Sequence, residues 1–284
     1  MNDPKNTESR LALVGLTVLV VCSFLAFAII FFDAGNLFSS SSDTPSTDQV
    51  STDESSDPSD KILADIAEAK EKLEEFQGRL DSPYLMPVNE QSPIPEGYTV
   101  DLMVLSHTDG SLSLDKAAAS AMNAFLASAE GVGYHVSLEA AYRSEAQQQK
   151  VYDEKFKSFR QAGYSVTEAK ELATAAVGSV NHSEHQLGLA VDFNPKDLEQ
   201  AGADGTLFKD YLKKNIYKFG FILSYPAGGQ DSTGRDPNGC HYRYVGLEIA
   251  EDMNNRGYTL TEYRGYLQNQ ITYYQQQITM LEKQ

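Results

Sequence analysis

Two short segments carry the side chains best suited to chemistry. Residues 183–192 read Ser-Glu-His-Gln-Leu-Gly-Leu-Ala-Val-Asp, and residues 241–246 read His-Tyr-Arg-Tyr-Val-Gly. Together they offer two imidazoles, His185 and His241, and one carboxylate, Asp192. Two nitrogens and one oxygen with a fourth position left open describe a catalytic zinc site, because structural zinc sites are closed by four protein ligands. Water in the open position would be acidified toward neutrality and attack a carbonyl polarised by the same ion. The plainer reading stays open at this point: an Asp ending one strand and a His starting another are common surface residues.

The chain must bring these groups together. If residues 188–193 form a strand, Gly188, Ala190 and Asp192 share one face, while Leu189, Val191 and Phe193 share the other. The second set is a core face; the first leaves room for an ion above the sheet. His185 would come from the turn just before, with Glu184 pointing away if the segment is extended. In the second segment His241, Arg243 and Val245 share a face opposite Tyr242 and Tyr244. If the two strands are neighbours, His241 and Asp192 meet at cross-strand distance. His182 lies beside the motif, and His107 and His135 lie outside it as structural or solvated residues.

Composition narrows the function classes. The chain has 284 residues and a formal net charge of -17, which argues against nucleic acid as a partner. The two cysteines, Cys22 and Cys240, form no plausible internal disulfide, since Cys22 lies in an apolar run. Residues 11–32, Leu11 to Phe32, carry no charge and would rise about 33 Å as a helix, enough to cross a membrane. Lys5 and Arg10 precede this run, and no Lys or Arg follows until Lys61. The asymmetry predicts a single-pass anchor with residues 1–10 in the cytoplasm and the remainder outside the cell. A cleaved signal peptide is the alternative, although its apolar region is normally shorter.

Beyond the anchor, residues 33–60 are acidic and rich in Ser and Thr, a composition that predicts a disordered linker. Residues 61–81 predict an amphipathic helix, with Asp60 as a cap and Ile62, Ile66, Ala69, Leu73, Phe76 and Leu80 on one stripe. The stripe supports either a helix lying on the following domain or a short coiled-coil stalk, hence a homodimer through 61–81. Further along, Ser113 caps a helical stripe of Leu114, Ala118, Ala121 and Phe125. A strand is expected over 136–142, helices over 144–161, 167–176 and 208–219, and strands over 189–193, 220–224 and 241–246. The segment from 260 onward is expected to be helical. Helices combined with a run of strands predict an α+β domain with a mainly antiparallel sheet.

These segments resemble the VanY-type zinc D-alanyl-D-alanine carboxypeptidases, whose group also holds the VanX dipeptidases and shares its fold with the hedgehog signalling domain. The pattern Ser-x-His-x-x-Gly-x-Ala-x-Asp is met by Ser183, His185, Gly188, Ala190 and Asp192. Glu-x-Trp-His-x-Arg-Tyr-Val-Gly is met in part, by His241, Arg243, Tyr244, Val245 and Gly246. Tyr-Arg-Ser is met by Tyr142, Arg143 and Ser144, with Gln147 and Gln148 after it. The entry Leu85-Met86-Pro87-Val88-Asn89 with Pro93-Ile94-Pro95 also matches. The resemblance implies a carboxypeptidase-like domain over 84–265 and leaves 266–284 as a helical extension. It implies Zn²⁺ held by His185, Asp192 and His241, and Arg143 on the substrate carboxylate or the developing oxyanion. It also implies Ser183 bonded to substrate or backbone nearby, and peptidoglycan stem peptides ending in D-Ala-D-Ala as substrate.

The departures are informative. Counted back from His241 without a gap, the family's general-base Glu falls on Asn238 and its Trp on Cys240. Asn takes no proton at neutral pH, and losing a general base costs on the order of 10²–10⁴ in rate. Asp236, or the loop acid Asp231, is a candidate substitute base. Two functions therefore stand: a membrane-anchored extracellular carboxypeptidase, impaired or rescued by another acid, and a catalytically inactive homologue that binds zinc and a cell-wall peptide or partner protein.

Overall fold

The computed structural model describes residues 57–284 apart from His107 and Asp109, and gives no side chains for Gln230 and Asp231. The expected anchor 11–32, the tail before it and residues 33–56 of the linker lie outside the described residues. Among those described, no helix is long and apolar enough to cross a membrane.

The helices are α1 (Pro58–Leu80), α2 (Lys116–Gly131), α3 (Glu145–Gln161), α4 (Val166–Val177), α5 (Phe208–Asn215), α6 (Gln230–Thr233), α7 (Leu247–Arg256) and α8 (Leu260–Leu281). The strands are β1 (Leu102–Val104), β2 (Ser113–Asp115), β3 (Leu138–Ala140), β4 (Ala190–Phe193), β5 (Phe221–Tyr225) and β6 (Asn238–Tyr244). A β1–β2 hairpin stands apart from a four-stranded sheet of order β3-β4-β6-β5, in which every pairing is antiparallel. This is the expected α+β class with flanking helices.

The sheet has a dry face and a polar face. Val191 and Phe193 point into a core with Phe125 of α2, Phe208 and Leu212 of α5, Phe221 and Tyr242. Phe193 meets Phe125 and Phe208 edge-on at 5.9 and 5.4 Å. Alternation along β4 then turns Asp192 to the opposite face.

Several boundaries moved, each for a local reason. The first helix starts at Pro58, inside the expected linker, because Asp57 rather than Asp60 accepts the bond from Ser59 N. Ser113 belongs to β2, and Asp115 caps α2 through Ala117 N. The 208–219 helix tightens into a 3₁₀ turn over Ile216–Phe219. Helix α8 runs unbroken across 265/266, so the expected division there falls inside one element.

Helix α1 buries its stripe against α8. Phe76 stacks on Tyr274 at 5.8 Å and meets Tyr266 edge-on at 6.1 Å, within a second core that includes Leu85, Val245, Met253, Tyr263, Leu267 and Ile271. The stripe thus has a partner inside its own chain at Leu73, Phe76 and Leu80, while Ile62 and Ile66 stay half-buried. Phe76→Ala is expected to cost about 3–5 kcal/mol. The loss should appear as a lower urea midpoint, with metal uptake unchanged.

Candidate metal centre

Strands β4 and β6 pair so that Asp192 lies directly opposite His241. The third group, His185, sits on a 3₁₀ turn over Glu184–Leu187 that delivers the chain into β4. Gly188 ends this turn at φ 71°, and a Cβ there would lie 2.6 Å from Val100 Cγ1. Both the left-handed backbone and the close approach require glycine.

The three side chains converge. Donor atoms of His185, Asp192 and His241 all lie within 4.8 Å of one another. His185 Nε2 is 3.1 Å from Asp192 Oδ2, and His241 Nδ1 is 2.9 Å from Asp192 Oδ1. The outer nitrogens are held separately. His185 Nδ1 donates to the Ala141 carbonyl at 2.7 Å, and His241 Nε2 faces Glu184 Oε2 at 2.9 Å. Each imidazole is thereby oriented by one nitrogen while the other faces the shared point, the arrangement that supports metal ligation. The donor set fits a divalent zinc ion.

The electrostatics are those of a buried charged cluster. Burial holds His185 neutral by pushing its pKa down, against the opposing pull of Asp192. Burial also disfavours an imidazolium at His241, yet hydrogen bonds to Asp192 and Glu184 outweigh it and push the pKa up to about 9. Asp192 stays ionised: burial alone would raise its pKa, but the two histidines hold it well below the usual carboxylate range.

Glu184 is the residue that sequence reasoning misplaced. The segment is a 3₁₀ turn and not an extended strand, so Glu184 turns inward beside His185. It is buried, takes a 2.8 Å bond from Arg243 Nη1 and accepts from Ser224 Oγ at 2.8 Å. Burial would raise its pKa; Arg243 and His241 hold it ionised instead. The sequence did contain a signal, since a glycine three residues after His185 caps a turn more readily than it continues a strand.

The cluster forms one wall of a polar cavity of about 70 Å³, also lined by Arg143, Ala176, Val177, Ser183, Tyr225, Arg235 and Asn238. Arg143 precedes α3, whose start Ser144 and Gln147 fix by a reciprocal capping box. Its guanidinium donates to Asp192 Oδ2 at 3.2 Å and approaches Gln148 Oε1 at 3.4 Å. Asn238 reaches the same cavity as His241 through an irregularity in β6. Leu223 pairs with Tyr242 but Tyr225 pairs with Asn238, so β6 spends two additional residues there. In a regular strand, residues three apart would face opposite ways.

Other candidates fall elsewhere. Asp236 is exposed, its backbone N–H bonds the Ala175 carbonyl, and it does not line the cavity. Asp231 and His107 lie outside what is described. His182 bonds Ser179 and Val180 away from the cluster, and His135 is exposed. Burial pushes the Cys240 thiol up, so it stays protonated. Arg235 was not anticipated. It is buried against the cavity with its guanidinium on the carbonyls of Thr174 and His182, contacts its local sequence does not announce.

A family profile described as VanY, D-alanyl-D-alanine carboxypeptidase, matches residues 111–247. A D-alanyl-D-alanine carboxypeptidase of Enterococcus faecalis is 34% identical over 198 residues, covering 70% of each chain. Two solved structures are each 36% identical with a TM-score of 0.57 over 63% of this chain. One is VanYB in complex with D-alanine-D-alanine, 96% of which is covered. The other is a vancomycin-resistance D,D-pentapeptidase VanY, a glutamate-to-alanine variant from a VanB-type resistance cassette in complex with Zn(II), 98% of which is covered.

The protonation pattern makes metal uptake pH-dependent. Below about 9 the metal-free site holds a proton on His241, and an ion needs that nitrogen bare. His185 is already neutral and releases none. Zinc binding at neutral pH is therefore expected to release about one proton, so that apparent affinity climbs about tenfold per pH unit. The rise ends near pH 9, where His241 loses its proton unaided. Calorimetry in buffers of different ionisation enthalpy measures the proton count.

Proposed function

The chain belongs to the VanY-type D-alanyl-D-alanine carboxypeptidase family, and on that premise we propose that it is a membrane-anchored zinc D-alanyl-D-alanine carboxypeptidase acting on peptidoglycan stem peptides outside the cell. Residues 11–32 serve as the anchor, with the N-terminus cytoplasmic and the acidic linker spacing the domain from the membrane. One observation carries the reading: His185, Asp192 and His241 converge on a single point in a polar cavity beside Arg143.

When bound by His185, Asp192 and His241, Zn²⁺ supplies Lewis acidity and an acidified water. The chain's own residues supply the rest. Arg143 and Arg235 give the cavity two guanidiniums, suited to a peptide's terminal carboxylate or a developing oxyanion. Ser183 presents a hydroxyl at the cavity wall. Tyr225 stacks on His241 at 4.7 Å and fixes its ring, while burial keeps the phenol protonated. Asn238 orients water by hydrogen bonding but takes no proton at neutral pH.

That last point supports a second reading. Among the described residues, Asp192 is the one carboxylate that lines the cavity, and it is committed to the histidines and Arg143. A chain without a base would bind zinc and a cell-wall peptide or partner protein without turnover. Asp236 would have to leave its exposed position to serve as the base.

The test is release of D-Ala from a peptide ending in D-Ala-D-Ala, with zinc content measured in parallel. We expect bound zinc, slow release by the natural chain, and a gain of about 10²–10⁴ on Asn238→Glu. Asp236→Asn removes the residual rate if that acid substitutes as base. Zinc without release, restored by Asn238→Glu, would convert the enzyme into a binding module. A zinc-free protein would sink both readings.

A further inference from the structure

This inference rests on the zinc reading above and concerns a residue that reading does not use. We infer that Glu184 is a positioning residue: it holds a ring proton of His241 on Nε2, so that Nδ1 is the nitrogen that gives up its proton and opens to the ion.

The geometry divides the carboxylate into two ends. Oε1 receives Arg243 Nη1 at 2.8 Å. Oε2 receives Ser224 Oγ at 2.8 Å and faces His241 Nε2 at 2.9 Å. Neither partner is exchangeable for water, since Glu184, His241 and Arg243 are 4%, 4% and 0% exposed. Arg243 is fixed in turn by the carbonyls of Tyr84 and Met86, at 3.0 and 2.7 Å. A guanidinium only donates, so Oε1 must remain an acceptor. A carboxylate accepts at both ends, and Oε2 therefore requires a proton on His241 Nε2. His241 Nδ1, 2.9 Å from Asp192 Oδ1, is the nitrogen left for the cavity.

With both carboxylate oxygens committed as acceptors, Glu184→Gln is more than a conservative change. The amide oxygen must face Arg243, which places the NH₂ group against His241 Nε2. Two donors cannot share that contact. The imidazole answers by giving up the Nε2 proton and keeping its one remaining proton on Nδ1, against Asp192 Oδ1, where it blocks coordination. The size and packing of the side chain are unchanged, so a purely structural role predicts little effect on metal binding.

The experiment uses the full-length chain and zinc, titrated against a chromophoric chelator. Glu184→Gln is expected to weaken zinc binding about 10- to 100-fold. Ser224→Ala removes the neighbouring hydroxyl but keeps the carboxylate, and is expected to leave affinity within the same order of magnitude. In the zinc-loaded natural chain, nitrogen-15 spectra should show the His241 proton on Nε2, exchanging slowly with solvent. That measurement stands even if the Gln variant fails to fold. Equal zinc affinity in Glu184→Gln, or a rapidly exchanging Nε2 proton, overturns the inference and leaves the zinc reading intact. A natural chain that takes up no zinc overturns both.

Discussion

The cross-strand pairing of Asp192 with His241 is the constraint on which the rest of the site depends. Antiparallel neighbours place directly opposite side chains about 5 Å apart at Cβ, close enough for a carboxylate and an imidazole to meet. A one-residue slip would turn Asp192 into the core and Val191 into the cavity. The aromatic packing of Phe193 on Phe125 and Phe208 opposes that slip, because it would expose the ring. Core packing on one face thus sets the chemistry on the other.

Behind this pair, Glu184 and Arg243 bring further buried charge against His241. Arg243 and Glu184 are desolvated together, and such pairs are weak sources of net stability because desolvation offsets their attraction. Their value is in direction. Arg243 ties the sheet to the carbonyls of Tyr84 and Met86, while Glu184 fixes one face of His241. The segment around Leu85, far from His185, Asp192 and His241 in sequence, is in this way coupled to the orientation of His241. Arg264 strengthens the link from α8 by bonding the Leu85 carbonyl at 2.8 Å.

The cavity combines three side chains that can hold a metal ion with few groups that accept a proton. Among the described residues two guanidiniums and a carboxamide line it, and the one carboxylate is already engaged. Such a lining stabilises negative charge well and accepts protons poorly. Binding of an anionic group and turnover of it are therefore separable demands on this chain.

Much of this was legible in the sequence, for reasons that are local. The spacing from His185 to Asp192 spans one turn and one short strand, and the apolar stripe from Ile62 to Leu80 needs only helical periodicity. Alternation alone distinguished Val191 and Phe193 from Asp192. The hairpin of β1 and β2 went unread because its strands are three residues each, and the ten-residue helix α7 went unread although Ile249, Ala250 and Met253 share one buried face. The inward turn of Glu184 depended on whether four residues wind or extend, a choice that alternation cannot express. Asn238 entered the cavity through a strand irregularity, and Arg235 through carbonyls on another helix and loop. The sequence determined which groups were available and which faces were dry. Only the tertiary structure decided which buried charges share one space, because that depends on strand order and turn geometry between residues distant in the chain.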